Sequence, residues 1–409
     1  MLQKRGKKLE YLYIVSALIL VLAGAVSVIL ARRIKVPRAI VLILAGIALS
    51  QIKYEGVKVV QLSPLLAAGI SMVALALVVF DSSSRLKLKE SDTFSKKAVW
   101  FSILFTFLNL AVLSAIAMKL FNMDFFLALM LSALMSQTAG EFTSMLFKRD
   151  RYRAGGFLAA ESIVSTPFLV IIPFLFIETK ATLGTTIIMS QLLSYLSVLA
   201  QQAIIGLGTA VLIALIFVKA MKKRYSEKFS PVVLLASIFI TYFIAQGINE
   251  SGILAVTALG IIFASTYVKG KAHLEEFFSS LDSVVRLTVF LLLGVLIGIS
   301  FSIAFFAKTA LLFAALLAIR YLALEVSLKD EFSFKEKAFM ALSTRKGIAT
   351  AALMLAFSIY AINGMKEMLS VMLVCVLCSI ISSRIAEGNS ERLLGKPQLA
   401  KRKIDSAGL

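Results

Sequence analysis

The fold is decided by the apolar run Phe125-Phe126-Leu127-Ala128-Leu129-Met130-Leu131-Ser132-Ala133-Leu134-Met135 and the polar run Ser136-Gln137-Thr138-Ala139-Gly140-Glu141 that follows it. The apolar run predicts a membrane helix, and the polar run predicts a break in that helix at mid-membrane. The next apolar segment carries Glu161-Ser162-Ile163-Val164-Ser165-Thr166-Pro167 and a second proline, Pro173. Ionisable residues and broken backbone are tolerated at this depth only where they face a protein interior or a watery cavity. Both segments are therefore candidates for a functional site.

The whole chain has the composition of a polytopic, all-α membrane protein. Of its 409 residues, 59% are hydrophobic and only 16% are charged, which is outside the range of soluble domains. About thirteen segments approach the length that crosses about 30 Å of hydrocarbon. They are residues 11–30, 36–51, 61–80, 98–118, 124–146, 155–177, 186–218, 231–247, 252–268, 284–306, 309–327, 335–360 and 365–385.

The positive charge of the chain, formally +20, follows the membrane topology. Lysine and arginine are concentrated in alternate loops, which predicts that these loops and the basic C-terminal tail are cytoplasmic and that the N-terminus is outside. The basic residues Lys4, Arg5, Lys7 and Lys8 oppose this placement of the N-terminus. The positive charge is therefore explained by topology and argues against a nucleic-acid-binding protein. The chain is expected to be an integral protein of the plasma membrane of a prokaryote.

Other motifs give no sign of an enzyme or of a cofactor. Cys375 and Cys378 lie in an apolar run without other metal ligands, so they are interpreted as packing residues. His273 is the only histidine, which excludes a multi-histidine metal centre. Ser343 and Lys346 have the Ser-x-x-Lys spacing of some acyl-transfer enzymes, but the rest of such a site is missing.

A second interruption lies in the twelfth segment, at Ser343-Thr344-Arg345-Lys346-Gly347-Ile348. Two adjacent cations at mid-membrane require a broken helix and a wet or paired environment. Arg320 lies deep in the eleventh segment without an acidic residue at pairing distance in its own helix, so its partner is expected on another segment. Interrupted helices at corresponding positions of two halves, with the seventh segment as linker, predict inverted repeats with crossing helices and a secondary transporter.

These residues also resemble a known family. The chain is similar, over nearly its whole length, to the sodium/proton exchanger family of the cation:proton antiporter superfamily. The matching pieces are Lys35-Val36-Pro37 with Gly46, Val79-Phe80-Asp81 through Leu86, Leu131–Thr138, Glu161-Ser162, Ser251–Ala255 with Gly260, Arg320, and Lys346-Gly347 followed by Ala349–Ala352.

The resemblance implies a homodimer and an elevator-type alternating-access mechanism. Residues 1–97 and 181–307 would form the interface domain together with the linker helix, residues 98–180 and 308–385 would form the moving core domain, and residues 386–409 would be a cytoplasmic tail. The resemblance also implies that Glu161 pairs with Arg320 to hold the core together. Lys346 would offset the charge of the helix ends that meet at the crossing.

The chain departs from the family at the residues that bind the ion. The family's Thr-Asp-Pro is Thr138-Ala139-Gly140 in this sequence, and its Glu-Ser-x-x-Asn-Asp ends in Ser165-Thr166. The nearest replacement carboxylate is Glu141, and Gln137 and the carbonyl of Ile163, freed by Pro167, supply further oxygen ligands. The predicted site for Na⁺ or K⁺ and a proton consists of Thr138, Glu141, Ser165, Thr166 and Lys346.

Three hypotheses of function remain open on the sequence. The first is a monovalent cation:proton antiporter whose exchanging acid has moved to Glu141, because a cation and a proton compete for one carboxylate. The second is a carrier of an anion or another solute, favoured by Arg345, Lys346 and the N-termini of the half-helices. The third is a relative that kept the fold and lost the ion site.

Overall fold

A computed structural model of the chain describes residues 2–54, 57–60, 63–84, 93–139, 153–162, 165, 172–173, 176, 189–223, 229–249, 251–266, 271–299, 301–329 and 331–394. Within these ranges, eight helices are long and apolar enough to cross a membrane, and four more apolar helices are shorter. The predicted all-α membrane fold is confirmed, and two strands of two residues each are the exception among the described residues.

Helices make up most of the described chain. In chain order they are α1 Leu2–Arg33, α2 Arg38–Gln51, α3 Pro64–Ser84, α4 Thr93–Leu108, α5 Ser114–Phe121, α6 Phe125–Ser136, α7 residues 153–162, α8 Met189–Lys223, α9 Ser230–Asn249, α10 Gly252–Ser265, α11 Lys271–Leu296, α12 Ile303–Ser327, α13 Phe334–Leu342, α14 Ile348–Phe357, α15 Met365–Gly388 and α16 Ser390–Leu394. The antiparallel strands β1 Lys53–Tyr54 and β2 Val57–Lys58 lie between α2 and α3. A π-helical turn, Asn109–Leu113, joins α4 and α5 into one membrane span.

The first helix of each interrupted span, α6 and α13, begins at a side-chain cap encoded in the sequence. The carboxylate of Asp124 accepts a hydrogen bond from the backbone N–H of Phe126 at the start of α6, and Ser333 and Glu336 form a capping box at the start of α13. Helix α6 ends at Ser136, where the sequence predicts the break. The backbone of the next residue, Gln137, is extended, with a ψ of 138°. The twelfth span is broken between α13 and α14, and Gly347 at the start of α14 is also extended.

Contacts between helices divide the described elements into two sets. The first set comprises α1–α3 and α8–α11, where α11 packs on α2, and α10 packs on α3 and α8. The second comprises α4–α6, α12, α13 and α15, where α12 packs on α4, α13 and α15, and α6 packs on α5 and α15. Helix α14 contacts α3 and α11 of the first set. The second half of the twelfth span therefore lies where the two sets meet.

A close helix crossing holds the first set together. A Cβ atom at Gly46 or at Gly294 would approach the backbone of the opposite helix to less than 3.0 Å, a distance that real Cβ atoms essentially never show. Glycine at both positions therefore lets α2 and α11 pack backbone against backbone. At Gly298, one turn further along the chain, a Cβ would meet nothing within 4 Å.

Candidate functional site

The two interruptions meet inside the protein. The backbone N–H of Ala139 donates a hydrogen bond to the carbonyl of Arg345 across the two breaks, at 2.8 Å. A Cβ at Gly347 would lie closer than 3.0 Å to the Cβ of Ala139, so the backbones pass each other only because residue 347 is glycine. This contact is the crossing of two interrupted helices that the sequence predicts.

Lys346 binds the end of α6. Its ammonium donates hydrogen bonds to the backbone carbonyls of Met135 and Gln137, the latter at 2.7 Å, and its backbone N–H donates to the hydroxyl of Ser379 at 3.1 Å. The side chain is 1% exposed. A cation at this position offsets the partial negative charge of a helix C-terminus.

The carbonyl of Met135 is available to Lys346 because the helix ends at this point. In a continuing helix, the N–H of Ala139 would donate to that carbonyl. In this structure the N–H of Ala139 donates to Arg345 instead. The pairing of the two breaks therefore frees a carbonyl oxygen in the protein interior and places a charged lysine on it.

Arg320 is the centre of the second set of helices. Its guanidinium binds both carboxylate oxygens of Glu161, at 2.8 and 2.7 Å, and the two side chains are 0% and 1% exposed. It also donates to the hydroxyl of Thr138 at 3.1 Å and to the carbonyl of Met340 at 3.2 Å. A bidentate, fully desolvated pair with both broken spans attached to it fixes α7, α12 and α13 relative to one another.

Two aromatic rings complete the surroundings of this pair. The guanidinium carbon of Arg320 lies 5.2 Å from the ring centres of both Phe101 and Phe105, which are stacked on each other. Such contacts favour a desolvated cation. Neither phenylalanine belongs to the predicted site, although two phenylalanines four residues apart on a membrane helix are a detectable pattern.

Further polar contacts tie the breaks to neighbouring helices. The hydroxyl of Thr350 donates to the side-chain carbonyl of Gln137 at 2.5 Å, and the amide of Asn109 donates to the hydroxyl of Ser136 at 2.9 Å. Asn109 lies in the π-helical turn of the fourth span, a distortion often found at functional sites. Thr350 and Asn109 do not belong to the predicted site, although each is a polar residue in an apolar span, which is a detectable signal.

The side chain of Arg345 contacts α15, whereas the ammonium of Lys346 contacts the end of α6. Its guanidinium lies 3.8 Å from the carboxylate of Glu387 near the end of α15, and Glu387 also contacts Arg384. The adjacent cations of the break are therefore directed to separate partners.

Several polar atoms around the breaks are buried and have no hydrogen-bond partner within the described ranges. They are Asn109 Oδ1, Ser132 Oγ, Gln137 Nε2, Ser165 Oγ, Ser343 Oγ and Thr344 Oγ1. Buried polar atoms of a native protein almost always have a partner, so each of these atoms can accept or donate a further hydrogen bond, for example to water.

Three residues of the predicted site, Thr138, Ser165 and Lys346, lie among the described residues. Lys346 binds the carbonyl of Gln137, next to Thr138, and Thr138 in turn binds Arg320. Ser165 is buried, at 2% exposure, and its hydroxyl has no hydrogen-bond partner among the described residues. Glu141, Ile163, Thr166 and Pro167 lie outside the described residues.

Comparison with known proteins identifies the family. The model of the transmembrane sodium/hydrogen exchanger family matches residues 17–387. The chain belongs to this family. It is 23% identical over 294 residues to the Na⁺/H⁺ antiporter NhaH of Halobacillus aidingensis, a match that covers 68% of this chain and 72% of NhaH.

Solved structures of this family have the same fold. The sodium proton antiporter MjNhaP1 of Methanocaldococcus jannaschii at pH 8 superimposes with a TM-score of 0.73 and 18% identity, covering 95% of this chain and 100% of the other. A second structure of MjNhaP1, an electron-microscopy map, gives a TM-score of 0.66 at 17% identity, with 95% and 97% covered. The predictions of the exchanger family and of a transporter rather than an enzyme are confirmed. The protein is an integral membrane member of a family of cation:proton antiporters.

Proposed function

We propose that this exchanger moves a monovalent cation, Na⁺ or K⁺, in one direction and protons in the other by an elevator-type mechanism. The observation that carries the proposal is the buried meeting of two helix breaks, where α6 ends in carbonyl oxygens that are free of helical partners. Freed carbonyls at half-helix C-termini coordinate cations in secondary transporters. The proposed site consists of Thr138, Glu141, Ser165, Thr166 and Lys346, with Glu141 as the acid that exchanges the proton.

The division of helix contacts supports the elevator mechanism. The set α1–α3 and α8–α11 falls within the proposed interface domain, residues 1–97 and 181–307. The second set, apart from the ends of α4, α12 and α15, falls within the proposed core, residues 98–180 and 308–385. Sliding of the core would carry the breaks past α3 and α11, which α14 contacts. We propose that the interface domain also forms a homodimer.

The positively charged side chains near the breaks already have partners in the protein, which favours transport of a cation over transport of an anion. Arg320 is paired with Glu161, Arg345 is near Glu387, and the ammonium of Lys346 is bound by carbonyl oxygens. A carbonyl oxygen attracts a cation and repels an anion. The described part of the site thus lacks the uncommitted positive charge that an anion carrier needs.

The proposed location is the plasma membrane of a prokaryote. The comparison proteins come from Halobacillus aidingensis and Methanocaldococcus jannaschii. The alternating distribution of lysine and arginine supports an N-terminus outside and a cytoplasmic C-terminus.

Purified protein in liposomes with a preset pH gradient tests the proposal. Addition of Na⁺ or K⁺ is expected to dissipate the gradient, and replacement of chloride by gluconate is expected to change nothing. Anion-dependent uptake that ignores Na⁺ and K⁺ would show an anion carrier instead. A folded protein that moves neither class of ion would show a relative without transport activity.

A further inference from the structure

The side-chain amide of Asn109 lies deep in the core and only one end of it is hydrogen-bonded. Asn109 is 0% exposed and lies in the middle of the span Lys96–Phe121, where the π-helical turn begins. Its nitrogen donates to the hydroxyl of Ser136 at 2.9 Å, but its oxygen, Oδ1, has no hydrogen-bond partner among the residues that the structure describes. A buried amide oxygen without a partner is unfavourable at this depth, so a ligand for it is expected.

Hydrogen bonds at the end of α6 fix the direction of this amide. The hydroxyl of Ser136 has one proton and donates it to the carbonyl of Ser132 at 2.9 Å. Toward Asn109 the hydroxyl can therefore only accept, so the end of the amide that contacts it is the nitrogen. Because the oxygen of an amide lies about 2.3 Å from its nitrogen, Oδ1 lies within about 5 Å of the Ser136 hydroxyl.

The side of the fourth span that carries Asn109 points to the centre of the core. Phe101, Phe105 and Asn109 follow one another at every fourth position, and residues four apart lie on one face of a helix. The rings of Phe101 and Phe105 contact the guanidinium of Arg320, which binds Thr138 in the break that follows α6. Asn109 is one turn further along this face and therefore borders the same break.

This chain has fewer charged ligands for an ion than its family has. The two positions at which the family has aspartate are Ala139 and Thr166 in this sequence. A transported cation then depends more on neutral oxygens, and the oxygen of an amide side chain binds a cation as a backbone carbonyl does. The free oxygen of Asn109 is a ligand of this kind.

We infer that Asn109 is a further ligand of the transported cation and binds it through Oδ1. The inference rests on the proposed function, because it adds one residue to the proposed site of an exchanger of Na⁺ or K⁺ for protons. The hydrogen bond from the amide nitrogen to Ser136 holds the oxygen in place before the ion arrives. A ligand that is held in this way binds without first being ordered.

Replacement of Asn109 by leucine tests this role in the liposome assay. Leucine keeps the branched shape of asparagine and has no oxygen. If Oδ1 is a ligand, Asn109→Leu is expected to raise the cation concentration that gives half-maximal exchange about tenfold, as the loss of one buried polar contact does. If the amide only stabilises the end of α6, the maximal rate falls and the half-maximal concentration stays the same.

The matched control is Ser102, which lies on the same span about 10 Å along the helix axis from Asn109. Ser102 is also buried, at 8% exposure, and its hydroxyl has no hydrogen-bond partner within the described ranges. Ser102→Ala is expected to leave both the maximal rate and the half-maximal concentration at their wild-type values. Size-exclusion profiles of both variants check that they fold.

A second variant keeps the test decisive if the leucine variant does not fold. Asn109→Asp keeps an oxygen at this position and adds a negative charge, and the hydroxyl of Ser136 can turn to donate to it. A carboxylate attracts a cation more strongly than an amide does, so at alkaline pH the half-maximal cation concentration is expected to fall about tenfold. A purely structural role for Asn109 predicts no such gain.

The outcomes distinguish the inference from the proposed function. A half-maximal concentration that stays at the wild-type value in both Asn109→Leu and Asn109→Asp overturns the inference and leaves the proposed function in place. An equal rise in Ser102→Ala and Asn109→Leu also overturns it, because the effect would then not depend on the break. Wild-type protein that exchanges no cation for protons overturns the proposed function, and the inference with it.

Discussion

Removal of Arg320 is predicted to be the most destabilising single change in the core, because it leaves a charge unpaired in the interior. In Arg320→Met, the carboxylate of Glu161 loses both of its short hydrogen bonds, and the hydroxyl of Thr138 and the carbonyl of Met340 each lose a donor. Breaking a buried ion pair from one side costs about 3–5 kcal/mol. The same range is expected for the loss in the free energy of unfolding.

A double variant tests whether the unpaired charge is the cause. In Arg320→Met/Glu161→Gln neither charge is left in the interior, so the double variant is expected to be more stable than Arg320→Met alone. Simple loss of packing predicts the opposite, because a second substitution would add its own cost.

Unfolding can be followed by titration with a denaturing detergent in mixed micelles, using the reaction of a thiol-specific dye with Cys375, which is 1% exposed, in a Cys378→Ala background that removes the second, half-buried thiol. The control is the surface pair Lys97–Glu331, whose side chains are 36% and 29% exposed. Exposed pairs contribute about 0–1 kcal/mol, so Lys97→Met is expected to unfold near the wild-type midpoint. Equal midpoints for Arg320→Met and Lys97→Met would refute the reasoning.

Two further predictions concern packing and polar contacts. Gly294→Ala is expected to lower the unfolding midpoint by overpacking the α2–α11 crossing, at a cost of about 1–3 kcal/mol. The control Gly298→Ala, with open space around its Cβ, is expected to leave the midpoint unchanged. Equal effects of the two substitutions would contradict the close crossing. Thr350→Val is expected to cost about 1–3 kcal/mol in the same titration, because it removes the hydrogen bond to Gln137 inside the protein. A neutral Thr350→Val would mean that another donor replaces it.

The sequence determined the elements and the positions where they break. Apolar runs of membrane length can arise only as helices or barrel strands in lipid, and the polar residues Ser136–Glu141 and Ser343–Gly347 mark the interruptions by local composition alone. Helix α6 ends at Ser136, and α14 begins at Ile348, as those residues require.

Only the tertiary structure decided which groups meet at the breaks. Arg320 finds Glu161 at a distance of 159 residues along the chain, and Lys346 finds Met135 at a distance of 211. The sequence predicted that Arg320 pairs with a carboxylate on another segment. Hydropathy and periodicity do not predict which two helices pack together, so they could not identify that segment. A carbonyl oxygen becomes a ligand only when its own helical donor is drawn away, as the N–H of Ala139 is drawn to Arg345. That event depends on two helix ends meeting in space, because backbone carbonyls are the same in every residue and have no signature in the sequence.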